Sequence, residues 1–450
     1  MMFDQMFTAD NFRRVFDSEN RKGIDVATRF FPELEPATNN VREKVKEIRE
    51  LRKSKNSMEP SVFEEKLTEL RKSLAQLKEI KSQSVSLIME NLSKKVGASD
   101  FKIAISQKIG PKGKPVFCTD SNPETFFAMK QLQRNISNIY DVKQANRHDL
   151  ACQVRDIIGS KFPFEMVRTD ISSFYENIDR KVLIEKLDHD QLLSASSKKY
   201  IKQILDAYGL LSGSAKGIPR GIGISAYLAE LYLKPVDNLI REIPGIVVYC
   251  RFVDDIVAAF ARPSTGSILG SFKAKIIEIL GQFGLTHNPH KTIELFSGRP
   301  SSTKVEYLGY RYRVNSDGKL QISPGAAKIS KYKQRIRASF REYWKTKPIN
   351  PRLAFRQLSG RIRFLTGNTR LSNNKSCAVT GIYFNNSLAT DMSGLALLDK
   401  QLSRQIKKLN STRLQNKLKK MKFLSGFEQK RYNPFSTKQL QMIVGAWKHG

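Results

Sequence analysis

Three carboxylates define the chemistry open to this chain. Asp254 and Asp255 are adjacent in residues 247–260, VVYCRFVDDIVAAF, where two β-rich arms flank the polar pair. The pattern predicts a hairpin with both aspartates at its tip. Adjacent carboxylates repel, so that tip is costly unless positive charge sits against it. Taken alone, an Asp-Asp pair more often marks a solvated turn. Asp170 lies some 80 residues upstream in MVRTDISSFYENID, residues 166–179, at the predicted end of a short strand. There a carboxylate projects toward solvent or a metal rather than into a core. Facing one another, Asp170 and the aspartate pair make a hard-oxygen set suited to Mg2+, which needs few protein ligands. Two such ions, about 3.5–4 Å apart, stabilise the attacking and leaving oxygens when a 3′-hydroxyl displaces pyrophosphate from an α-phosphorus.

The elements that must position these groups follow from periodicity. Residues 217–225, GIPRGIGIS, break regular structure and launch an apolar helix over 226–233. After the Asp-Asp hairpin a helix is expected over 268–283. The turn GLTHNPHKT (284–292) follows, then a hairpin containing VEYLGYRY (305–312). His287 and His290 have ligand-like spacing but no third ligand nearby, and read as loop histidines. Upstream, residues 1–40 are mixed. Val41, Val45, Ile48 and Leu51 form one helical stripe, and residues 53–57 break it. Ser61 with Glu64 is a capping box for a second helix, whose stripe of Phe63, Leu67, Leu70, Leu74, Leu77 and Ile80 is close to heptad spacing. An intramolecular helix pair is the expectation; the heptads are few for a dimeric coiled coil. Residues 100–125 alternate β-like and turn-rich segments around the basic glycine loop GPKGKP, an exposed hairpin turn or a phosphate contact. Residues 124–160 read as helical and carry Lys143, Arg147 and His148.

Composition narrows the partner. Among 450 residues, 77 Lys+Arg against 43 Asp+Glu give a formal charge of +34. An excess spread along the whole chain predicts a polyanion, nucleic acid first and an anionic membrane surface second. No apolar run approaches the roughly 20 residues of a spanning helix, and the first residues lack the features of a signal peptide. Cys118, Cys152, Cys250 and Cys377 are scattered, with no C-x-x-C pair, so a reducing cytoplasmic compartment is expected. From about residue 324 the chain is helical and basic. Lys328, Lys331, Lys333, Arg335, Arg337, Arg341 and Lys345 are interleaved with Tyr332, Phe340, Tyr343 and Trp344. Cations with rings suit a strand of nucleic acid.

The ordered set resembles a reverse transcriptase palm over about residues 140–315. Asp170 to Tyr175 is similar to the first palm motif, and Ile218-Pro219-Arg220-Gly221 with Ser225 to the second. Phe252-Val253-Asp254-Asp255 resembles the Y-x-D-D box, Gly284 to Thr292 the fourth motif, and Tyr307-Leu308-Gly309-Tyr310 the primer-grip hairpin. The resemblance implies Asp170 and Asp254 as principal ligands of two Mg2+ ions, with Asp255 assisting. It implies Tyr175 as a steric gate against the ribose 2′-OH and Lys291 as a charge stabiliser or proton donor at the leaving pyrophosphate. Arg220 and Gly221 would lie beside the incoming nucleotide, with Lys143 and Arg147 reaching its triphosphate. Arg220 stands where the motif usually has Gln, and Phe252 where Tyr is common.

The expected architecture is an α/β right-hand polymerase: an N-terminal helical extension (1–99), fingers and palm (100–320), and a basic α-helical thumb and C-terminal nucleic-acid-binding region (321–450). The chain most resembles bacterial defence-associated (antiphage, unknown-group or abortive-infection-like) reverse transcriptases, with a faint lean, on residues 361–371, to subunit a of the type 3 system. That kinship implies a cognate non-coding RNA, a DNA product made from dNTPs, and room for a partner polymerase or a second copy of the chain. Two other readings stay open. One is template-independent or protein-primed DNA synthesis, for which Arg220 is the reason. The other is a catalytically silent RNA-binding scaffold.

Overall fold

The computed structural model describes residues 3–110, 113, 115–160, 162–262, 271–297, 304–315, 317–371 and 378–447. The chain begins with α1 (Ala9–Arg21), α2 (Val26–Phe30), α3 (Glu35–Lys53) and α4 (Pro60–Gly97), then hairpin β1 (Ile105–Ile109) and β2 (Pro115–Thr119), and α5 (Pro123–Tyr140). Next come α6 (Arg147–Gly159), β3 (Phe164–Asp170), α7 (Phe174–Asn177), α8 (Arg180–Asp190), α9 (Ala195–Ser212) and α10 (Gly223–Arg241). The strands β4 (Ile246–Phe252) and β5 (Asp255–Ala261) precede α11 (Phe272–Gln282), β6 (Ile293–Phe296), β7 (Lys304–Tyr307), β8 (Tyr310–Val314) and β9 (Leu320–Pro324). The rest is α12 (Ala326–Thr346), α13 (Pro351–Leu365), β10 (Asn368–Arg370), β11 (Val379–Gly381), α14 (Ser393–Lys407), α15 (Thr412–Lys419), α16 (Phe423–Glu428) and α17 (Thr437–Gly445).

These elements form two compact units. One holds the residues up to Lys143 together with Tyr175–Tyr232, the other Gln144–Phe174 together with the residues from Leu233 onward. In the first unit α3 and α4 form the expected intramolecular pair, with Ile48 packed among Phe63 and Leu67. The capping box does not form. Helix α4 starts at Pro60, whose fixed φ and missing N–H suit a first helical position, and Glu59 makes no side-chain cap. Ser61 and Glu64 are exposed inside that first turn. The stripe runs out of partners at Ile80, which is 55% exposed, and a new buried set, Val85, Met89, Leu92 and Val96, takes over. The helical stretch at 124–160 is two helices, because Asp141 adopts left-handed backbone (φ 48°) and Asn146 then caps α6 by accepting the His148 N–H. Lys143 therefore lies on an exposed connector. In the basic glycine loop, Lys112 and Lys114 lie outside the described residues.

The second unit is built on an antiparallel sheet in the order β4-β5-β3-β6. Of its central strands, β5 is a nearly continuous apolar run and β3 mixes Phe164, Met166 and Val167 with polar residues; both are buried along most of their length. Side chains alternate across a strand. Met166, Cys250, Val257 and Ala259 share one face and pack against Leu150, Val154 and Ile157 of α6 and against Tyr307 and Tyr312 of the meander β7-β8-β9. The hairpin at 305–312 forms as expected, with Leu308 and Gly309 both at positive φ in a two-residue turn. Helix 226–233 extends over Gly223–Arg241 and accommodates Pro235, and the helix expected over 268–283 is α11.

After β9, α12 to α17 bury their own core. Here one expectation is corrected. Tyr332, Phe340 and Tyr343 line the buried side of α12 against Ile362, Leu398 and Phe423, so these rings are packing residues and not free platforms for bases. Trp344, 38% exposed, remains on the surface beside the cations of α12.

Candidate active site

The register of the sheet brings Asp170 and Asp255 directly opposite one another, at the last residue of β3 and the first of β5. Like charges in that relation destabilise a sheet, so each needs a cation. Asp255 has one: Arg168 donates from Nε to Oδ1 at 3.1 Å and from Nη2 to Oδ2 at 3.2 Å. Arg168 is two residues before Asp170 on the same face of β3, diagonal to Asp255, within reach of a long side chain. Burial pushes the Asp255 carboxyl above the usual carboxylate range; Arg168 opposes that shift and the charges of Asp170 and Asp254 add to it. Sequence reasoning passed over Arg168, although the two-residue strand period pointed to it.

The hairpin tip differs from the expected one. The turn residues are Val253 and Asp254, and Asp255 is already in β5, paired with Phe252. A two-residue turn requires positive φ, and here a β-branched residue takes it, Val253 at φ 60°. Arg251 holds this strained turn. Its Nη1 donates to the Val253 carbonyl at 3.1 Å, while Nε and Nη2 grip both oxygens of Asp237 at 2.6 and 2.7 Å. The Tyr249 hydroxyl donates to the same carboxylate at 2.6 Å. Arg251 and Asp237 are 7% and 11% exposed, a bidentate pair removed from water. Asp237 was also missed; with Glu230 it is one of two acids in the largely apolar α10.

The residues of the fourth motif are tied to the same point by backbone. The Asn288 N–H donates to the Asp170 carbonyl at 2.7 Å, the Ser172 N–H to the Thr286 carbonyl at 2.8 Å, and the Ile171 N–H to the Asp254 carbonyl at 3.0 Å. Asn288 also caps the turn, its Oδ1 accepting from the His290 N–H. This places Lys291 so that its Nζ donates to Asp170 Oδ2 at 2.8 Å. The lysine is half exposed and the aspartate nearly buried. The structure therefore brings together Asp170, Asp254, Asp255 and Lys291, and it places Arg147 elsewhere in the same unit, with its guanidinium 5.9 Å from the Phe252 ring. His287 bridges Ile171 through backbone and its carbonyl accepts from the Ser172 hydroxyl at 3.2 Å, as a loop residue.

Tyr175, Arg220, Gly221 and Lys143 belong to the first unit. Arg220 Nη2 lies 3.0 and 3.2 Å from the two oxygens of Glu176, and its guanidinium sits 5.5 Å from the Tyr175 ring. The unusual arginine is thus charge-compensated by the residue after the candidate gate. Gly221, at φ 105°, lies so close to β2 that a Cβ would come within 2.6 Å of the Phe117 carbonyl, and the Phe117 N–H donates to the Arg220 carbonyl. Its glycine is required by packing. Tyr175 is locked by its carbonyl, which accepts from the Ile218 N–H at 2.8 Å.

Among the described residues no three His, Cys, Asp or Glu side chains stand ready-made around one ion. The donor chemistry nevertheless fits a hard divalent cation. Asp170 and Asp254 are hard-oxygen donors brought to one point by the Ile171 to Asp254 backbone bond, and the cross-strand repulsion of Asp170 and Asp255 calls for positive charge.

A strand-end aspartate, a hairpin aspartate and a lysine on an adjoining turn, on an antiparallel sheet backed by helices, make up the palm of an α/β right-hand polymerase. Residues 127–312 match the family described as reverse transcriptase (RNA-dependent DNA polymerase). The chain thus carries a reverse transcriptase domain over these residues. Among solved structures it is similar to telomerase from Candida albicans in complex with a TWJ fragment of telomeric RNA (12% identity, TM-score 0.38, covering 69% of this chain and 63% of that one). It is also similar to apo telomerase from Candida tropicalis (14% identity, TM-score 0.37, 77% and 64%). The chain thus spans a little under two thirds of each of these relatives. None of the curated proteins matches the sequence.

Proposed function

We propose that the protein polymerises dNTPs on an RNA template, with Asp170 and Asp254 as the ligands of two Mg2+ ions and Asp255 beside them. The observation that carries this is the meeting of Asp170, Asp254 and Lys291 at one end of the sheet, held there by three backbone hydrogen bonds. Bound there, the ions would supply charge for the attacking and leaving oxygens. The chain's own residues do the rest. Arg168 keeps the Asp255 carboxylate paired, and Arg251 holds the turn that presents Asp254. Lys291, paired with Asp170 and half exposed, would present its ammonium to the leaving pyrophosphate as a charge stabiliser or proton donor. The motif resemblance supports Tyr175, in the first unit, as the gate against ribonucleotides, with Arg220, Gly221 and Lys143 of that unit as nucleotide contacts and Arg147 as a further one contributed by the second.

The motif resemblance further supports a cytoplasmic antiphage role with a cognate non-coding RNA as template, either alone or with a partner polymerase or second copy. The Arg220–Glu176 pair bears on the rival reading. An arginine whose charge is already balanced gives less reason to invoke untemplated or protein-primed synthesis. The test is incorporation of labelled dNTPs and NTPs by protein purified with its bound nucleic acid, with Mg2+, sequencing the product. DNA complementary to a bound RNA is expected, and Asp254→Asn should abolish it. DNA unrelated to any RNA present would overturn templated synthesis, and full antiphage function in Asp254→Asn would favour the scaffold.

A further inference from the structure

Helices α13, α15 and α17, with Met421 and Phe435, enclose a cavity of about 430 Å3. Every residue that lines it falls between Phe355 and Ile443, outside the residues that match the reverse transcriptase family. Its size is that of a small-molecule site, roughly 300–1,000 Å3.

The walls present two kinds of surface. Phe355, Phe435, Met421 and Met442 are apolar, and the methionines adapt to irregular shapes. Arg356, Arg363, Lys417 and Lys438 are cationic, and among the described lining residues there is no Asp or Glu. Arg363 donates to the uncharged Pro434 carbonyl at 3.5 Å, and its Nε–H is buried without an acceptor. Its guanidinium lies 4.6 Å from the Phe435 ring, and the Lys417 ammonium lies 5.2 Å from the Phe355 ring. Rings attract a cation without neutralising it.

A glycine in the wall points the same way. Gly360 is in the interior of α13, where glycine weakens a helix. Packing does not require it, since a Cβ there would meet nothing nearer than Ile443 Cδ1 at 4.0 Å, an ordinary contact. What the missing side chain leaves is room in the cavity. Beside it Ser359 is 6% exposed and its hydroxyl has no partner, whereas a buried hydroxyl is ordinarily satisfied. A bare inorganic anion would leave the apolar wall unused, and an apolar molecule would leave the clustered cations uncompensated. Phosphate oxygens match a guanidinium fork and accept from several cations at once.

We propose that this cavity binds a small organic phosphate. The phosphate is held by Arg356, Arg363, Lys417 and Lys438. The apolar or aromatic body lies against Phe435, Met421 and Met442 in the space that Gly360 leaves open. A free phosphate ester and the headgroup end of phosphatidic acid share this chemistry.

The test uses the full chain without dNTPs or divalent metal, so that it succeeds or fails apart from catalysis. Calorimetric titration with 1-naphthyl phosphate should show one site, with inorganic phosphate and 1-naphthol each at least about tenfold weaker. Lys417→Ala with Lys438→Ala, two exposed positions, should weaken the ester at least about tenfold and leave the urea midpoint in place. Gly360→Leu fills the cavity and favours the helix, so it should abolish ester binding while the urea midpoint holds or rises. The same variant should change affinity for an eight-nucleotide RNA less than about twofold, because it alters no charge. Competition by phosphatidic acid vesicles would assign the ligand to lipid, and its absence to a free ester. Undiminished ester binding in both variants, equal affinity for inorganic phosphate, or parallel loss of RNA and ester in Gly360→Leu would each overturn the proposal.

Discussion

Replacing Arg251 by methionine tests how the catalytic hairpin is held. Arg251 and Asp237 are almost wholly removed from water, and each oxygen of the carboxylate is within 2.7 Å of the guanidinium. Deleting one partner of such a pair leaves a buried uncompensated charge and costs about 3–5 kcal/mol. Both tryptophans of the chain, Trp344 and Trp447, lie in the same unit as the hairpin, so tryptophan fluorescence in urea follows the unit that matters. With a denaturant slope of roughly 2–3 kcal/mol/M, the midpoint of Arg251→Met should fall by about 1–2 M. Replacing the whole pair, Arg251→Met with Asp237→Leu, removes the uncompensated charge and should recover most of that stability. It should not recover activity, because the Val253 carbonyl still lacks its donor and the turn at φ 60° is no longer clamped. A single-variant cost below about 1 kcal/mol, or a double variant with full nucleotide incorporation, would refute this account.

Further expectations concern the gate, a half-buried lysine and packing. Tyr175→Val should raise ribonucleotide relative to deoxyribonucleotide incorporation, measured as the ratio of kcat/KM for matched pairs; an unchanged ratio would reduce Tyr175 to a packing residue. Glu176→Gln should leave the urea midpoint nearly unchanged, because the Arg220–Glu176 pair is on the surface and such pairs contribute about 0–1 kcal/mol. Burial, with Arg147 alongside, brings the Lys328 ammonium down to about 8. Above that pH the folded chain holds fewer protons at Lys328 than the unfolded chain, so its charged form costs stability at neutral pH and the cost is relieved as pH rises through 8. Lys328→Met should flatten that rise of the urea midpoint with pH. Gly426→Ala should destabilise by about 1–3 kcal/mol or more, since its Cβ would overlap the Thr366 carbonyl oxygen, whereas Gly281→Ala in α11, with open space around it, should stabilise by about 0.5–1 kcal/mol. Urea midpoints of the two variants read both signs.

Much of the site was legible before any coordinates. Asp170, Asp254 and Lys291 have residue types and spacings that only make sense together, and the turn signals around Gly309 and Asn288 predicted the segments that carry them. Element boundaries were less legible. Ser61 and Glu64 satisfy a capping rule that Pro60 pre-empts, and the break at Asp141 depends on a left-handed backbone that an aspartate tolerates but does not demand. The rings of α12 were read as base platforms because periodicity shows which residues share a stripe, not which side of the stripe is covered.

Local chemistry was therefore determined by the sequence: which side chains can bind a hard cation, where the chain must turn, and that the surface is cationic. Only tertiary structure decided the pairings. Arg168 reaches Asp255 because two strands 87 residues apart in sequence share a register, and Arg251 finds Asp237 because a helix and a strand pack. Charge partners are set by distance and burial in three dimensions. A one-dimensional pattern records neither for residues far apart along the chain.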